Sequence, residues 1–171
     1  MPASQTHQKL FQQKLKEGQK FLFSKPPDYS RAERVFLELT RLAPNWSEGS
    51  LWLGLALLDQ SRLTEADTAF RRSIALAPTD SRAHLWLGTA LERAGRLNDS
   101  VQCFRDGLDL KPHYSEADSR VELASVLKKL GRIEEAIAEW QMVARMDASY
   151  PSYDAPIDDA KRELKKLGRA I

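Results

Sequence analysis

The twenty residues beginning at Leu51, LWLGLALLDQSRLTEADTAF, return 34 positions later as LWLGTALERAGRLNDSVQCF, beginning at Leu85. A phrase written twice at a period of that length specifies a stacked unit, because one copy alone cannot bury its apolar face. The period extends beyond this pair. Pro44, Pro78 and Pro112 fall 34 residues apart and close similar phrases, LTRLAPNW, SIALAPTD and GLDLKPHY. Phe36, Phe70 and Phe104 each stand eight residues before one of these prolines, and Gly54 and Gly88 keep the same interval. A further frame, with Leu123, Ala124, Gly131, Ala136 and Trp140, follows 36 residues on, which places two extra residues near KPHYSEAD.

Each unit reads as two helices. Between Arg82 and Arg93 the apolar residues fall three and four apart, and Gly95 follows as a stop signal. Asn98 or Asp99 starts a second helix whose core face carries Val101, Phe104 and Leu108. Lys111-Pro112 ends it, since a residue before proline disfavours the α region. Ser47, Ser81 and Ser115, each three residues past an aligned proline, are expected N-caps of the next unit. The tail, YPSYDAPIDDAKRELKKLGRAI, reads as a loop and one last helix, with Asp154 as cap, Pro156 near the first turn and Gly168 past the last.

Composition narrows the function classes. The chain is 42% apolar and 29% charged, as in a folded domain, and its 171 residues suffice for a sizeable core. Lys and Arg number 26 against 24 Asp and Glu, so a net charge of +2 leaves no global attraction for a polyanion. Nucleic acid is therefore not expected as a partner. Cys103 is the only cysteine, so no disulfide can form within the chain, which suits a reducing compartment. No apolar run reaches the ~18 residues of a membrane span. The N-terminal MPASQTHQKLFQQKLKEGQK lacks the apolar segment of a secretory signal. A cytoplasmic location, with no membrane partner, is the expectation.

A helix-turn-helix unit of 34 residues with an early Leu-Gly, a small residue and an aromatic in its second helix, and a closing Pro resembles the tetratricopeptide repeat. Leu53-Gly54 and Leu87-Gly88 carry the first signature, and Ala66/Phe70 and Ser100/Phe104 the second. The first unit keeps Ala32, Phe36 and Pro44 but has Gln19-Lys20 where Leu-Gly is expected, and SKPPDYS in its turn. The fourth has Ala124 for Gly, Trp140 for Phe and no closing proline. The resemblance implies an all-α, right-handed solenoid of about four hairpins, at 13–46, 47–80, 81–114 and 117–148, after an N-terminal extension over 1–12. A loop and capping helix occupy 149–171, with Ile157, Ala160, Leu164 and Leu167 on one face and charge on the other.

In that family the first helices line a concave groove that takes partner segments, so the resemblance implies a non-catalytic scaffold or adaptor for a protein or peptide. At 100° per residue Leu53, Gly54 and Leu57 share one face, taken as the core face, while Leu51, Leu55 and Leu58 point away and Trp52 lies on the flank. Leu85 and Trp86 repeat the arrangement in the third unit, beside polar Thr89, Glu92 and Arg93. The candidate groove contacts are Leu51, Trp52, Leu55, Leu85 and Trp86, with Arg82, Glu92, Arg93, Lys128 and Lys129 at the rim. The two indoles read either as packing between first helices or as groove anchors, the residue type prominent in binding hot spots.

Other chemistries find little support. A clamp for an acidic C-terminus needs Lys, Arg and Asn on the groove face, where Glu17, Phe21, Trp52, Arg82 and Trp86 stand instead. His7, His84 and His113 share no ligand spacing with Cys103, so no metal or cofactor is expected. His84 is read as an inter-helix packer and Cys103 as a small buried apolar residue. Glu134-Glu135 opens a helix, where acids favour the positive end of the dipole, rather than forming a catalytic pair. The basic run KRELKKLGR suits a solvated helix face. Two further roles stay open: self-assembly, the groove taking the helix around Leu10, Phe11 and Leu15 of a second copy, and service as a small chaperone of a secreted protein. RNA binding, as in 35-residue helical repeats, fits neither the period nor the apolar groove.

Overall fold

In the computed structural model, residues 5–112, 115–147 and 153–169 are described, with side chains from Gln8 onward. These residues form nine helices and no strand: α1 (Gln5–Leu22), α2 (Tyr29–Leu42), α3 (Ser47–Asp59), α4 (Leu63–Leu76), α5 (Ser81–Arg93), α6 (Leu97–Asp109), α7 (Glu116–Lys129), α8 (Ile133–Ala144) and α9 (Asp154–Lys166). Consecutive helices pair as hairpins, which is the all-α architecture of a solenoid. The chain divides into two compact units, Met1–Thr79 with α1 to α4 and Asp80–Ile171 with α5 to α9.

Within each unit the repeated glycine and phenylalanine explain each other. A Cβ on Gly54 would stand 2.5 Å from the Phe70 ring, and one on Gly88 would stand 3.1 Å from the Phe104 ring. At Gly54 only a bare backbone lets the first helix lie on the aromatic of the second, while at Gly88 the ring would have to yield slightly to a methyl group. In the first hairpin the same place is taken by Gly18, whose Cβ would meet the Phe36 ring at 2.4 Å. The glycine expected at Lys20 is therefore found two residues earlier, preceded by Glu17 in place of leucine. The cause is the turn: six residues (23–28) separate α1 from α2, against three in each of the turns at 60–62, 94–96 and 130–132. The two extra residues near KPHYSEAD likewise lengthen a connection, six residues at 110–115 against four at 43–46 and 77–80.

The three short turns share one chemistry. Ser61, Gly95 and Gly131 adopt left-handed backbone, with φ of 60°, 76° and 75°. The next amide reaches back five residues: Arg62 to the Leu57 carbonyl, Arg96 to Leu91 and Arg132 to Leu127, each at 2.9 Å. This is the bond pattern that closes a helix on a left-handed residue. Each arginine then precedes the next helix and pairs with the acid three residues on, Glu65 (2.6 Å), Asp99 (2.6 Å) and Glu135 (2.7 Å). The sequence LKKLGR of 127–132 recurs at 164–169, and α9 ends by the same turn, with Gly168 at φ 64° and the Arg169 amide on the Leu164 carbonyl. By its local chemistry α9 ends as a first helix does. It covers α8 and α7 with Pro156, Ile157, Ala160 and Leu164 and leaves charge outside.

The capping expectations need correction. Ser47 and Ser81 are the first helical residues, and Ser115, which does precede α7, makes no side-chain cap bond. Before Ser81 stands Asp80, whose carboxylate accepts from the Arg82 amide and so takes the capping role. Asn98 and Asp99 lie inside the first turn of α6, and Asp154 is the first residue of α9.

Candidate functional site

The close approach of Gly18, Gly54 and Gly88 to their phenylalanines, with Ala124 in the same frame, gives four first helices a common register. Three residues before that point stand Leu15, Leu51, Leu85 and Val121; two before stand Lys16, Trp52, Trp86 and Glu122; one after stand Gln19, Leu55, Thr89 and Ser125. The first set is uniformly apolar, and the other two vary in chemistry. The corrected register also moves the first-helix places assigned to Glu17 and Phe21 onto Leu15 and Gln19.

That contrast re-sorts the expected groove contacts. Leu51 is 1% exposed and Leu85 6%, and Leu58 is buried as well, so these leucines are packing residues and not a presented face. For Leu85 the reason is local: a Cβ on Gly107 of α6 would lie 2.6 Å from its side chain, so the missing Cβ makes room for it. Ser73, small and buried, holds the equivalent place after Leu51. Phe11 and Leu15 are similarly buried in the first unit's own core, against Ala32 and Phe36, and only Leu10 of that trio is exposed.

In the first unit the presented surface is aromatic. Trp52 is half-buried, its ring stacked on Phe36 at 6.1 Å and met edge-on by Phe23 at 6.0 Å. Its indole N–H donates to Glu48 Oε2 at 3.0 Å, which fixes the ring without covering it. Phe23, just past the end of α1, is 67% exposed, and Leu55 on α3 is half-buried. A separate crevice of about 350 Å³ between α2 and α4 includes Glu33, Arg62 and Glu65. Arg62 bonds both carboxylates at 2.7 and 2.6 Å, so these charges serve the turn.

In the second unit Trp86 is 40% exposed on α5. The rim charges are largely used inside the chain. Arg82 pairs with Asp80 at 2.7 Å, Lys129 with Glu92 at 2.7 Å, and Lys128 with Glu163 at 2.7 Å while lying over the Trp140 ring. Arg93 is exposed and also makes contacts of its own. On α7, Glu122 accepts from Thr89 Oγ1 at 2.9 Å. Burial pushes the Glu122 carboxyl above its ordinary value, Glu92 and Asp118 push the same way, and the Thr89 bond opposes them. Asp118 is exposed on the same helix, and the partial loss of water around its carboxyl pushes it upward as well. His84 packs over Gly107, and Cys103 is half-buried rather than enclosed. His7 and His113 lie outside the described side chains. Among the described residues no three His, Cys, Asp or Glu gather as a metal site.

The tetratricopeptide-repeat family model matches residues 28–81, 62–115 and 87–154, most of the chain. The chain belongs to the tetratricopeptide-repeat family. Proteins built from these repeats mediate protein–protein contacts. No curated protein matches the sequence. Among solved structures, MamA from Desulfovibrio magneticus RS-1 is 23% identical over 77% of this chain and 72% of its own, with a TM-score of 0.68. PilF of Pseudomonas aeruginosa is 13% identical over 95% of this chain and 72% of its own, with a TM-score of 0.79. The Arabidopsis OM64 domain is 17% identical over 74% and 98%, with a TM-score of 0.62. At these identities the likeness speaks for the fold alone. No helix among the described residues is long and apolar enough to cross a membrane.

Two residues of this tetratricopeptide chain escaped the sequence reading, Asp118 and Glu122. Their acidic side chains fall outside any pattern of apolar anchors. The signal was their register: Glu122 holds the place of Trp52 and Trp86 in the next first helix, and Asp118 stands one turn before it.

Proposed function

We propose that the protein is a non-catalytic scaffold or adaptor whose first-helix faces hold a segment of a partner protein. One observation carries the reading. Trp86 keeps 40% of its surface exposed although the leucine beside it in sequence, Leu85, is buried. A large indole left open at one register position while the fold buries the next is the pattern of a binding anchor. In the first unit Trp52, Phe23 and Leu55 offer apolar surface, and in the second Arg82, Glu92 and Arg93 lie on the same helix as Trp86. The rival in which a second copy supplies the helix around Leu10, Phe11 and Leu15 is weakened, because Phe11 and Leu15 are already in the core. The proposed setting is cytoplasmic, on the ground of the single cysteine.

The test is affinity capture from native lysate by the wild type, Trp52→Ala and Trp86→Ala, with circular dichroism as the folding control. Trp86→Ala is expected to keep its melting temperature nearly unchanged and to lose bound partner by about thirtyfold, as for a hot-spot truncation of ~2 kcal/mol. Trp52→Ala should cost more stability, up to the ~3 kcal/mol lower bound for buried large aromatics, because its ring also packs on Phe36. Undiminished capture by a folded Trp86→Ala protein would remove this face from the proposal.

A further inference from the structure

Carboxylates on the helices of the second unit are generally met by a cation. Asp80 has Arg82, Glu92 has Lys129, Glu116 and Glu139 share Arg120, and Glu163 has Lys128 and Lys166. Among the described residues Asp106, Asp109, Asp154 and Asp158 lack such a pair, and so do Asp118 and Glu122, which differ in that Glu122 is half-buried and bonded to α5. Glu122 has only the neutral Thr89 hydroxyl on one of its oxygens. α5 and α7 touch directly and, as first helices of consecutive hairpins, run in the same direction. The Thr89–Glu122 bond fixes their register. One turn back along each helix come Trp86 on α5 and Asp118 on α7, so both carboxylates and the exposed indole occupy one face.

Glu122 is half-buried with exposed Asp118 one turn before it, and burial and the Asp118 charge both raise the energy of the Glu122 carboxylate, so a cation placed between the two acids would relieve it. The open face of an indole attracts cations too, and the aliphatic stem of a long basic side chain packs against it. An acidic or nucleic-acid segment would meet like charge. We propose that this face of the second unit is the subsite for a lysine or arginine side chain of a partner polypeptide, its cation between Asp118 and Glu122 and its stem along Trp86. The proposal rests on the reading that first-helix faces hold a partner segment, and it adds the chemistry of that segment.

The experiment titrates the full, nitrogen-labelled chain with a short capped peptide bearing one arginine among alanines and leucines, and with a twin bearing glutamate instead. The arginine peptide should move the Trp86 indole resonance and the Asp118 and Glu122 amides to saturation, while the glutamate twin leaves them in place. Glu122→Gln keeps an acceptor for Thr89 and removes the charge. It and Asp118→Asn should each weaken the arginine peptide about tenfold. Wild-type affinity for the arginine peptide in either neutral variant, or an equal response to the glutamate twin, overturns the proposal. A dimer in sedimentation that Glu122→Gln dissociates would assign the face to a second copy and overturn the separate partner. Failure of the broader reading looks different: folded Trp52→Ala and Trp86→Ala proteins then capture partners as the wild type does, whatever the peptide shows.

Discussion

Ser61 occupies the one three-residue turn whose left-handed position lacks glycine, and replacing it tests the hairpin register directly. Its φ of 60° matches Gly95 and Gly131, and the backbone bonds on either side of it are the same in all three turns. A side chain in that conformation costs about 1–2 kcal/mol through the clash of Cβ with the carbonyl oxygen. Glycine removes the clash but adds freedom to the unfolded chain, worth about 0.4–1 kcal/mol in the opposite direction. At the middle of both ranges the difference leaves Ser61→Gly stabilising by about 0.8 kcal/mol. For 171 residues melting cooperatively, that is a rise in Tm of about 1–4 °C.

The reciprocal change isolates the cause. Nothing lies within 4 Å of a Cβ built on Gly95, so Gly95→Ser adds backbone strain without a steric clash and should lower Tm by a similar amount. Ser61→Ala keeps the strain and removes only the hydroxyl, which separates any contribution of that group from the effect of φ. Thermal melts of the four proteins, followed by circular dichroism at 222 nm, suffice. A destabilised Ser61→Gly beside a neutral Ser61→Ala would refute the equivalence of the three turns.

Three further outcomes are expected. Ala66→Leu overfills the enclosed contact of α4 with α3 and should cost ~1–3 kcal/mol; an unchanged melt would mean that the contact is not close-packed. Deleting 154–171 uncovers the apolar surfaces of α7 and α8 beneath Ile157, Ala160 and Leu164, so the truncated protein should aggregate on gel filtration, and a monomeric, equally stable product would refute the capping role. Glu122 titrates above its ordinary value of 4.5 in the folded chain, so the unfolded chain gives up its proton first and stability falls as pH rises from 4.5 through the folded value. Glu122→Gln should therefore be more stable than the wild type at pH 7 and indistinguishable from it below 4.5; a gain that persists in acid would show that charge is not its source.

Much of this was legible because repetition marks what the fold requires. Phe70 and Phe104 at a fixed interval, each preceded by a glycine at a fixed distance, state the close approach of two helices before any coordinates are seen. Gly18 was not legible, because the longer SKPPD turn shifts it out of the period and only its contact with Phe36 reveals its role. The burial of Leu51 and Leu85 was not legible for a different reason. A helical wheel gives directions but not the neighbours that lie along them, and α3, apolar on nearly every face, offers no polar side to orient it. The missing Cβ at Gly107 was the available clue, since a glycine inside a helix signals that something must fit against it.

The register of the first helices shows where function can reside in such a chain. The position three residues before the ring contact is Leu15, Leu51, Leu85 and Val121, apolar every time, because the core admits nothing else there. The next position is Lys16, Trp52, Trp86 and Glu122: a cation, two aromatics and an anion on the same turn of the same kind of helix. Packing that demanded a particular side chain there would not allow that spread. Nor does stability favour it, since a half-buried Glu122 without a cation costs the folded chain at neutral pH and Trp86 leaves an indole in water. Residues that the fold neither requires nor benefits from, held at one register position of each first helix, are the ones the proposed function assigns to a partner.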